Sequence, residues 1–258
     1  MRTNLVGEML SEFLGTLVLI TIGLGVVAMV VLFGTGIPGE IVNGGYTNIT
    51  LAWGLAVTLG CYVSGKTSGA HLNPAVTIAL AVFRGFSWSK VAPYILAQVA
   101  GGFFGAALIF ANYLPAFHKF DPNLEKTAGI FSTFPAFPNQ PAAGFVDQVL
   151  GTALLLFLIL AVTDERNQSP MANLAPVVVG MIVVAVGMSQ GAMHGYAINP
   201  ARDLGPRLFT VVAGFKNNGL TDGSGVFWIP IVGPILGGLI GAAVYDFGIR
   251  RFLPEEQA

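Results

Sequence analysis

Six stretches of this chain are uncharged, apolar and about as long as a bilayer is thick, and they constrain the fold more than any other feature. A hydrocarbon core of roughly 30 Å needs about 20 apolar residues per helix. The stretches are residues 13–33, 41–65 (its helical part from about Thr47), 91–117, 148–163 with a start nearer Phe145, 175–188, and 223–245. Only 10% of the residues are charged and 54% are apolar, against about 25% charged in soluble domains, so the soluble globular and disordered classes are excluded. The 34 glycines suit helices that pack closely in lipid. A formal net charge of −1 offers no basic footprint to nucleic acid, and Cys61, the one cysteine, excludes an intrachain disulfide or a cysteine-based metal site. The leading residues 1–10 are too short and too mixed for a signal peptide. An integral membrane protein follows.

Six spans place both termini on one side. With the termini inside, the inner face carries Arg2, Lys66, Arg84, Lys90, Arg166, Arg250 and Arg251, and the outer face Lys119, Lys126, Arg202, Arg207 and Lys216. The bias favours termini in the cytoplasm, more so if Arg202 and Arg207 sit on a segment that dips into the membrane.

The chain also repeats itself. Leu14-Gly15-Thr16-Leu17 matches Leu150-Gly151-Thr152-Ala153, and Gly101-Gly102-Phe103-Phe104-Gly105-Ala106-Ala107 matches Gly237-Gly238-Leu239-Ile240-Gly241-Ala242-Ala243, both 136 residues apart. Each half, about 8–125 and about 143–250 within one membrane domain of 1–258, holds three spans. An odd number forces the second half to insert upside down. Inverted repeats of this kind place a solute path near the midplane, where the halves meet.

Between the spans lie Ser68-Gly69-Ala70-His71-Leu72-Asn73-Pro74-Ala75-Val76 and Gly195-Tyr196-Ala197-Ile198-Asn199-Pro200-Ala201-Arg202-Asp203. Asn is a strong N-cap and Pro at the first helical position loses no needed donor, so each reads as a helix start. The apolar stretches that follow, 76–83 and 204–212, are too short to span. Two half-length helices in equivalent positions of inverted halves enter from opposite sides and meet near the centre. Non-helical backbone at that depth must be buried in protein or line a watery cavity. The expected architecture is all-α: six transmembrane helices and two re-entrant half-helices around a pore.

Two Asn-Pro-Ala boxes in inverted three-span halves closely resemble the aquaporin superfamily, from about Glu8 to Tyr245. Arg202-Asp203-Leu204-Gly205-Pro206-Arg207 after the second box, Pro230-Ile231 and the long insert at 213–225 resemble its glycerol-conducting branch, the aquaglyceroporins. The resemblance implies that Asn73 and Asn199, followed by Pro74, Ala75, Pro200 and Ala201, aim side-chain amides at the lumen. It places Trp53, Gly187, Tyr196 and Arg202 around a selectivity filter, with the aromatics facing a polyol's C–H side and Arg202 its hydroxyls. A charge in an embedded segment is costly, so function is the default reading of Arg202. The resemblance supplies acceptor carbonyls from Gly69, Ala70, His71, His194, Gly195 and Tyr196. The His71 side chain either faces the inner vestibule or braces its loop; that of His194 lines the outer mouth or faces solvent. Glu12 and the Asp147-Gln148 pair occupy matching places and support the re-entrant loops, while Asp203 braces its own half-helix start.

The implied function is passive conduction of glycerol, related small neutral solutes and water, excluding ions and protons, by a homotetramer in lipid with no cofactor and no metal. A water-selective channel is the alternative, which Gly187 and Asp203 oppose and relative permeabilities decide. A coupled transporter would need paired midplane acids as relays, which the sequence lacks outside the repeat-equivalent Glu12 and Asp147, and an enzyme a nucleophile–base set or metal-ligand spacing, which it lacks too.

Overall fold

The computed structural model describes residues 4–34, 41 and 43–254; Arg2 and the first residues of the leading segment lie outside the described residues. Its eight α-helices are α1 (Leu5–Leu32), α2 (Gly45–Ser68), α3 (Pro74–Phe83), α4 (Trp88–Phe120), α5 (Pro141–Thr163), α6 (Ala175–Gln190), α7 (Pro200–Ala213) and α8 (Ile229–Gly248). No strand occurs among the described residues.

α1 begins at Leu5 rather than at the uncharged run, because Asn4 caps it, accepting from the Gly7 N–H at 2.8 Å. The two acids that interrupt the apolar pattern, Glu8 and Glu12, are buried on its inner face. Four stretches are long and apolar enough to cross a membrane alone: Leu5–Leu32, Trp88–Phe120, Pro141–Thr163 and Val226–Phe252. The other two spans are α2, which is less apolar, and α6, whose 16 residues reach only about 24 Å. α3 and α7, with 10 and 14 residues, are the half-helices.

The packing has the symmetry of the sequence repeat. α1 lies against α2 and α4, and α5 lies against α6 and α8. α3 docks on α8 and α7 on α4, so each half-helix rests on the last span of the opposite half. The matched glycines permit the close pairs: a Cβ on Gly105 of α4 would lie 3.0 Å from Ile20 of α1, and one on Gly237 or Gly241 of α8 would collide with the Val149 or Ala153 carbonyl of α5. Small residues that let backbones approach drive helix association in lipid, where burial of apolar surface supplies no difference.

Ion pairs close one end of the bundle. Lys90 Nζ reaches Glu8 at 2.8 Å, and Arg84, which caps the C-terminus of α3, binds Asp246 of α8 through both terminal nitrogens. Asp164, the residue after α5, accepts from Arg166 and from Tyr245 Oη at 3.0 Å. The Arg166 hydrogen bond, opposed by partial burial, holds the Asp164 carboxyl at about 2, below the usual carboxylate range.

Candidate functional site

α2 ends at Gly69, whose φ of +88° lets the chain turn sharply. The backbone then passes through Ala70 (φ +52°) and Leu72 (φ +51°) before Asn73 starts α3. Gly195 (φ +66°), Tyr196 (φ +36°) and Ile198 (φ +43°) repeat the pattern ahead of Asn199. Left-handed backbone at four non-glycine residues, one of them β-branched, costs about 1–3 kcal/mol at each and persists only where the surroundings enforce it.

Glu12 and Gln148 sit where that enforcement is needed. Glu12 Oε1 accepts from Ser68 Oγ (2.6 Å) and the His71 N–H (2.9 Å), while Oε2 accepts from the Leu72 N–H and Gln98 Nε2, both at 2.7 Å. Gln148 Oε1 accepts from the Ile198 N–H at 2.9 Å, and Nε2 donates to the His194 carbonyl at 3.2 Å and to Asp147 at 3.3 Å. The departure from acid symmetry between the halves has a local cause: a carboxylate at 148 would set oxygen against oxygen at His194 and Asp147.

The two loops are tied to each other through the boxes. Asn73 Oδ1 accepts from the Ala75 N–H (2.9 Å), and Asn199 Oδ1 from Ala201 (3.0 Å) and Arg202 (3.2 Å), so each oxygen caps its own helix. Each amide nitrogen crosses over: Asn73 Nδ2 donates to the Ile198 carbonyl at 2.9 Å and Asn199 Nδ2 to the Leu72 carbonyl at 2.8 Å. An amide has two N–H donors, so each asparagine spends one on the opposite loop and retains one. The abutting N-termini of α3 and α7 each bring about half a positive charge to this point.

A cavity of about 370 Å³ runs along the crossing. Gly69, Ala70 and His71 line it at one end, Asn73 and Asn199 in the middle, and Trp53, Tyr196 and Arg202 at the other. Leu19, Val57, Leu155, Ile159, Val179 and Val183 form an apolar wall, and Cys61 also lines it. The lining therefore brings Gly69, Ala70, His71, the two box asparagines and Arg202 together with a wall that is otherwise largely hydrocarbon.

Arg202 lies with its Cζ 4.3 Å from the centre of the Trp53 ring, and Nη1 donates to the Phe131 carbonyl at 3.2 Å. Trp53 lies against Gly23 of α1, where any Cβ would overlap its ring. Its indole nitrogen and the Tyr196 hydroxyl are buried without a protein partner among the described residues.

Several sequence expectations need correction. Gly187 does not line the cavity: a Cβ there would stand 2.8 Å from Tyr196 Cε2 and 3.2 Å from Thr50 Cγ2, so the tyrosine ring comes between Gly187 and the lumen. His194 neither faces solvent nor lines the mouth. Its imidazole is fully buried beside Gly144, with no partner for either ring nitrogen among the described residues, and neither His194 nor Gly195 borders the cavity. Asp203 does not brace its own helix start, because Asn199 already takes those amides. Its carboxylate instead accepts from the Thr133 N–H (2.7 Å), Thr133 Oγ1 (2.9 Å) and Arg207 Nε (2.7 Å), and Arg207 in turn donates to the Thr133 carbonyl at 2.7 Å. This fully buried pair clamps the segment whose Phe131 carbonyl holds Arg202. The two readings of His71 merge: it lines the cavity while Nδ1 pairs with Thr77 Oγ1 at 3.1 Å and the ring packs on Phe86 and Tyr94.

Phe131, Thr133 and Tyr46 carry no motif and escaped the sequence reading, which named Arg207 without giving it a role. The hint was a second arginine, Arg207, on a half-helix expected to dip into the membrane, where a buried charge demands partners.

The comparisons with known proteins agree with this geometry. The major intrinsic protein family model matches residues 1–245. An aquaglyceroporin-2 of Rhizophagus irregularis is 44% identical over 95% of this chain and 79% of its own length. The glycerol uptake facilitator protein 3 of Lactiplantibacillus plantarum is 42% identical over 95% and 98%. The X-ray structure of the aquaglyceroporin from Plasmodium falciparum superposes with a TM-score of 0.83 at 35% identity, over 95% of this chain and 97% of that one. The chain belongs to the major intrinsic protein family, in the aquaglyceroporin branch that its boxes resemble.

Proposed function

We propose that the protein is a passive channel for glycerol, related small neutral solutes and water, and that it excludes ions and protons. The observation that carries this reading is a cavity whose largely apolar lining includes both box asparagines together with Trp53, Tyr196 and Arg202. A polyol likewise combines polar and apolar groups. Its hydroxyls meet the carbonyls of Gly69, Ala70 and His71, the spare N–H of each box asparagine and the free nitrogens of Arg202, while its carbon skeleton slides along the aromatic rings and the leucine–valine wall. Every hydrogen bond lost from water is replaced in stages, and none is strong enough to trap the solute, the condition for conduction.

Cations meet Arg202 and two helix N-termini in a poorly screened place. The crossed asparagines act as donors only, so a water between them accepts on both sides and cannot relay a proton through that point. Glu12 supplies no relay, because it does not line the cavity and is saturated by four donors.

The whole chain forms one pore unit, and the exposed apolar faces of α1, α2, α5 and α6 suit a homotetramer in lipid. Lys66, Arg84, Lys90, Arg166, Arg250 and Arg251 on the face bearing the chain ends, against Lys119, Lys126 and Lys216 on the other, support cytoplasmic termini. Stopped-flow light scattering on proteoliposomes given water, glycerol, urea and larger polyols tests the reading. Downhill glycerol flux without response to a proton gradient is expected; accumulation driven by that gradient overturns it.

A further inference from the structure

We infer that Tyr46, which does not line the cavity, sets the size limit of the pore by fixing where the Tyr196 ring can stand. This rests on the channel reading above. Tyr196 is the tyrosine at the constriction, and its ring is packed from behind rather than bonded: its hydroxyl has no protein partner among the described residues. Three groups close the space behind it. Gly187 of α6 leaves room for the ring by lacking a Cβ, which would lie 2.8 Å from Cε2 and 2.9 Å from Cζ. Thr50 of α2 lies beside the same spot, with Cγ2 3.2 Å from where that Cβ would be. Tyr46, at the start of α2, meets the Tyr196 ring edge-on, with centroids 6.2 Å apart and an interplanar angle of 85°.

Tyr46 is itself pinned. Its hydroxyl donates to the Gly187 carbonyl at 2.9 Å, and it nests against Gly191, one turn further along, where a Cβ would overlap its oxygen. Two glycines four apart on the end of α6 thus receive two tyrosines, one reaching the lumen and one behind it. With Gly187 lacking a side chain and Thr50 offering a small one, the bulk of this wall is the Tyr46 ring. Removing it opens a space into which the Tyr196 ring can retreat from the lumen, and nothing in the hydrogen-bond network resists that retreat.

The test compares the parent with Tyr46→Phe, Tyr46→Leu and Tyr46→Ala in proteoliposomes, measuring water, glycerol and erythritol permeability per channel. Tyr46→Ala should raise the erythritol-to-glycerol ratio by about tenfold, the effect of losing one hydrogen bond and one aromatic edge contact behind the ring. Tyr46→Leu should give a smaller rise, and Tyr46→Phe, which keeps the ring and loses only the hydrogen bond, the least. Should Tyr46→Ala not insert, the order of parent, Phe and Leu variants decides. An unchanged ratio in the variants that insert, or an equal fall for all three solutes, overturns the role of Tyr46. A parent that passes no glycerol overturns the channel reading instead, so the two failures are distinct.

Discussion

Gly187→Ala asks whether the ring of Tyr196 is the wall that sizes the pore. The added Cβ would stand 2.8 Å from Tyr196 Cε2 and 2.9 Å from Cζ, where ordinary contact begins at 3.4 Å. The ring must therefore move by about 0.6 Å or more, since packed interiors do not yield easily. Thr50 and Tyr46 close the back and the edge, so the direction left open is the lumen. Overpacking by one methyl costs about 1–3 kcal/mol. Placed on the transit barrier of a solute that fills the constriction, that is about 5- to 150-fold in glycerol flux. Water needs less width, so its permeability should fall by about threefold at most, on the same barrier arithmetic. The assay is paired stopped-flow measurement of both solutes on one proteoliposome preparation, with protein per vesicle determined. A glycerol-to-water ratio equal to the parent's, in correctly inserted protein, refutes the reasoning, because the ring would then have a second place to go. Gly187→His should act in the same direction and more strongly.

Arg202→Val should introduce a cation or proton leak under voltage clamp, because the fixed charge beside Trp53 is removed; an electrically silent variant would remove Arg202 from the filter. Glu12→Gln should destabilise the fold, since an amide supplies one acceptor oxygen where two now serve four donors. With about 1–3 kcal/mol per unsatisfied buried donor, the thermal midpoint in detergent should fall by roughly 4 °C or more; an unchanged midpoint sinks the idea that this carboxylate holds the strained loop. The Asp164 contacts set an acid limit. A carboxyl depressed to about 2 contributes stability that is present above the unfolded value, near 3.9, and is lost as pH falls through 2. Thermal unfolding between pH 5 and pH 2 should therefore be less steep in pH for Asp164→Asn than for the parent, and parallel curves would count against it.

What the sequence made legible is what neighbouring residues settle among themselves. The length of an apolar run fixes a span, Asn-Pro fixes a helix start, and two matches at one spacing fix an inverted repeat; none of these needs knowledge of a distant contact. The errors fall where the partner lies far along the chain. Asp203 looked like a brace of its own half-helix start, yet beside Arg207, four residues on, it also holds Thr133, 70 residues earlier. Gly187 looked like a pore wall because a bare position reads as free space, whereas the space is filled by Tyr196. Tyr46 carried no signal at all, and only its bond to a carbonyl 141 residues away gives it a part.

The box asparagines show how local and distant demands meet in one residue type. As a cap for α3 or α7 alone, Ser, Thr or Asp would serve about as well. The crossing sets the further condition: the same side chain must accept from its own helix while donating to the Leu72 or Ile198 carbonyl of the other loop. An ionised Asp has no donor, and a Ser hydroxyl has a single hydrogen, so that serving the opposite carbonyl leaves none for a solute. Asn has an acceptor for the cap, one N–H for the opposite loop and a second for the lumen. Replacing its spare N–H with an acceptor would also remove the donor-only character that breaks a proton chain. The cap, the lock between the halves and the polarity of the midplane thus come from the same three atoms, used twice.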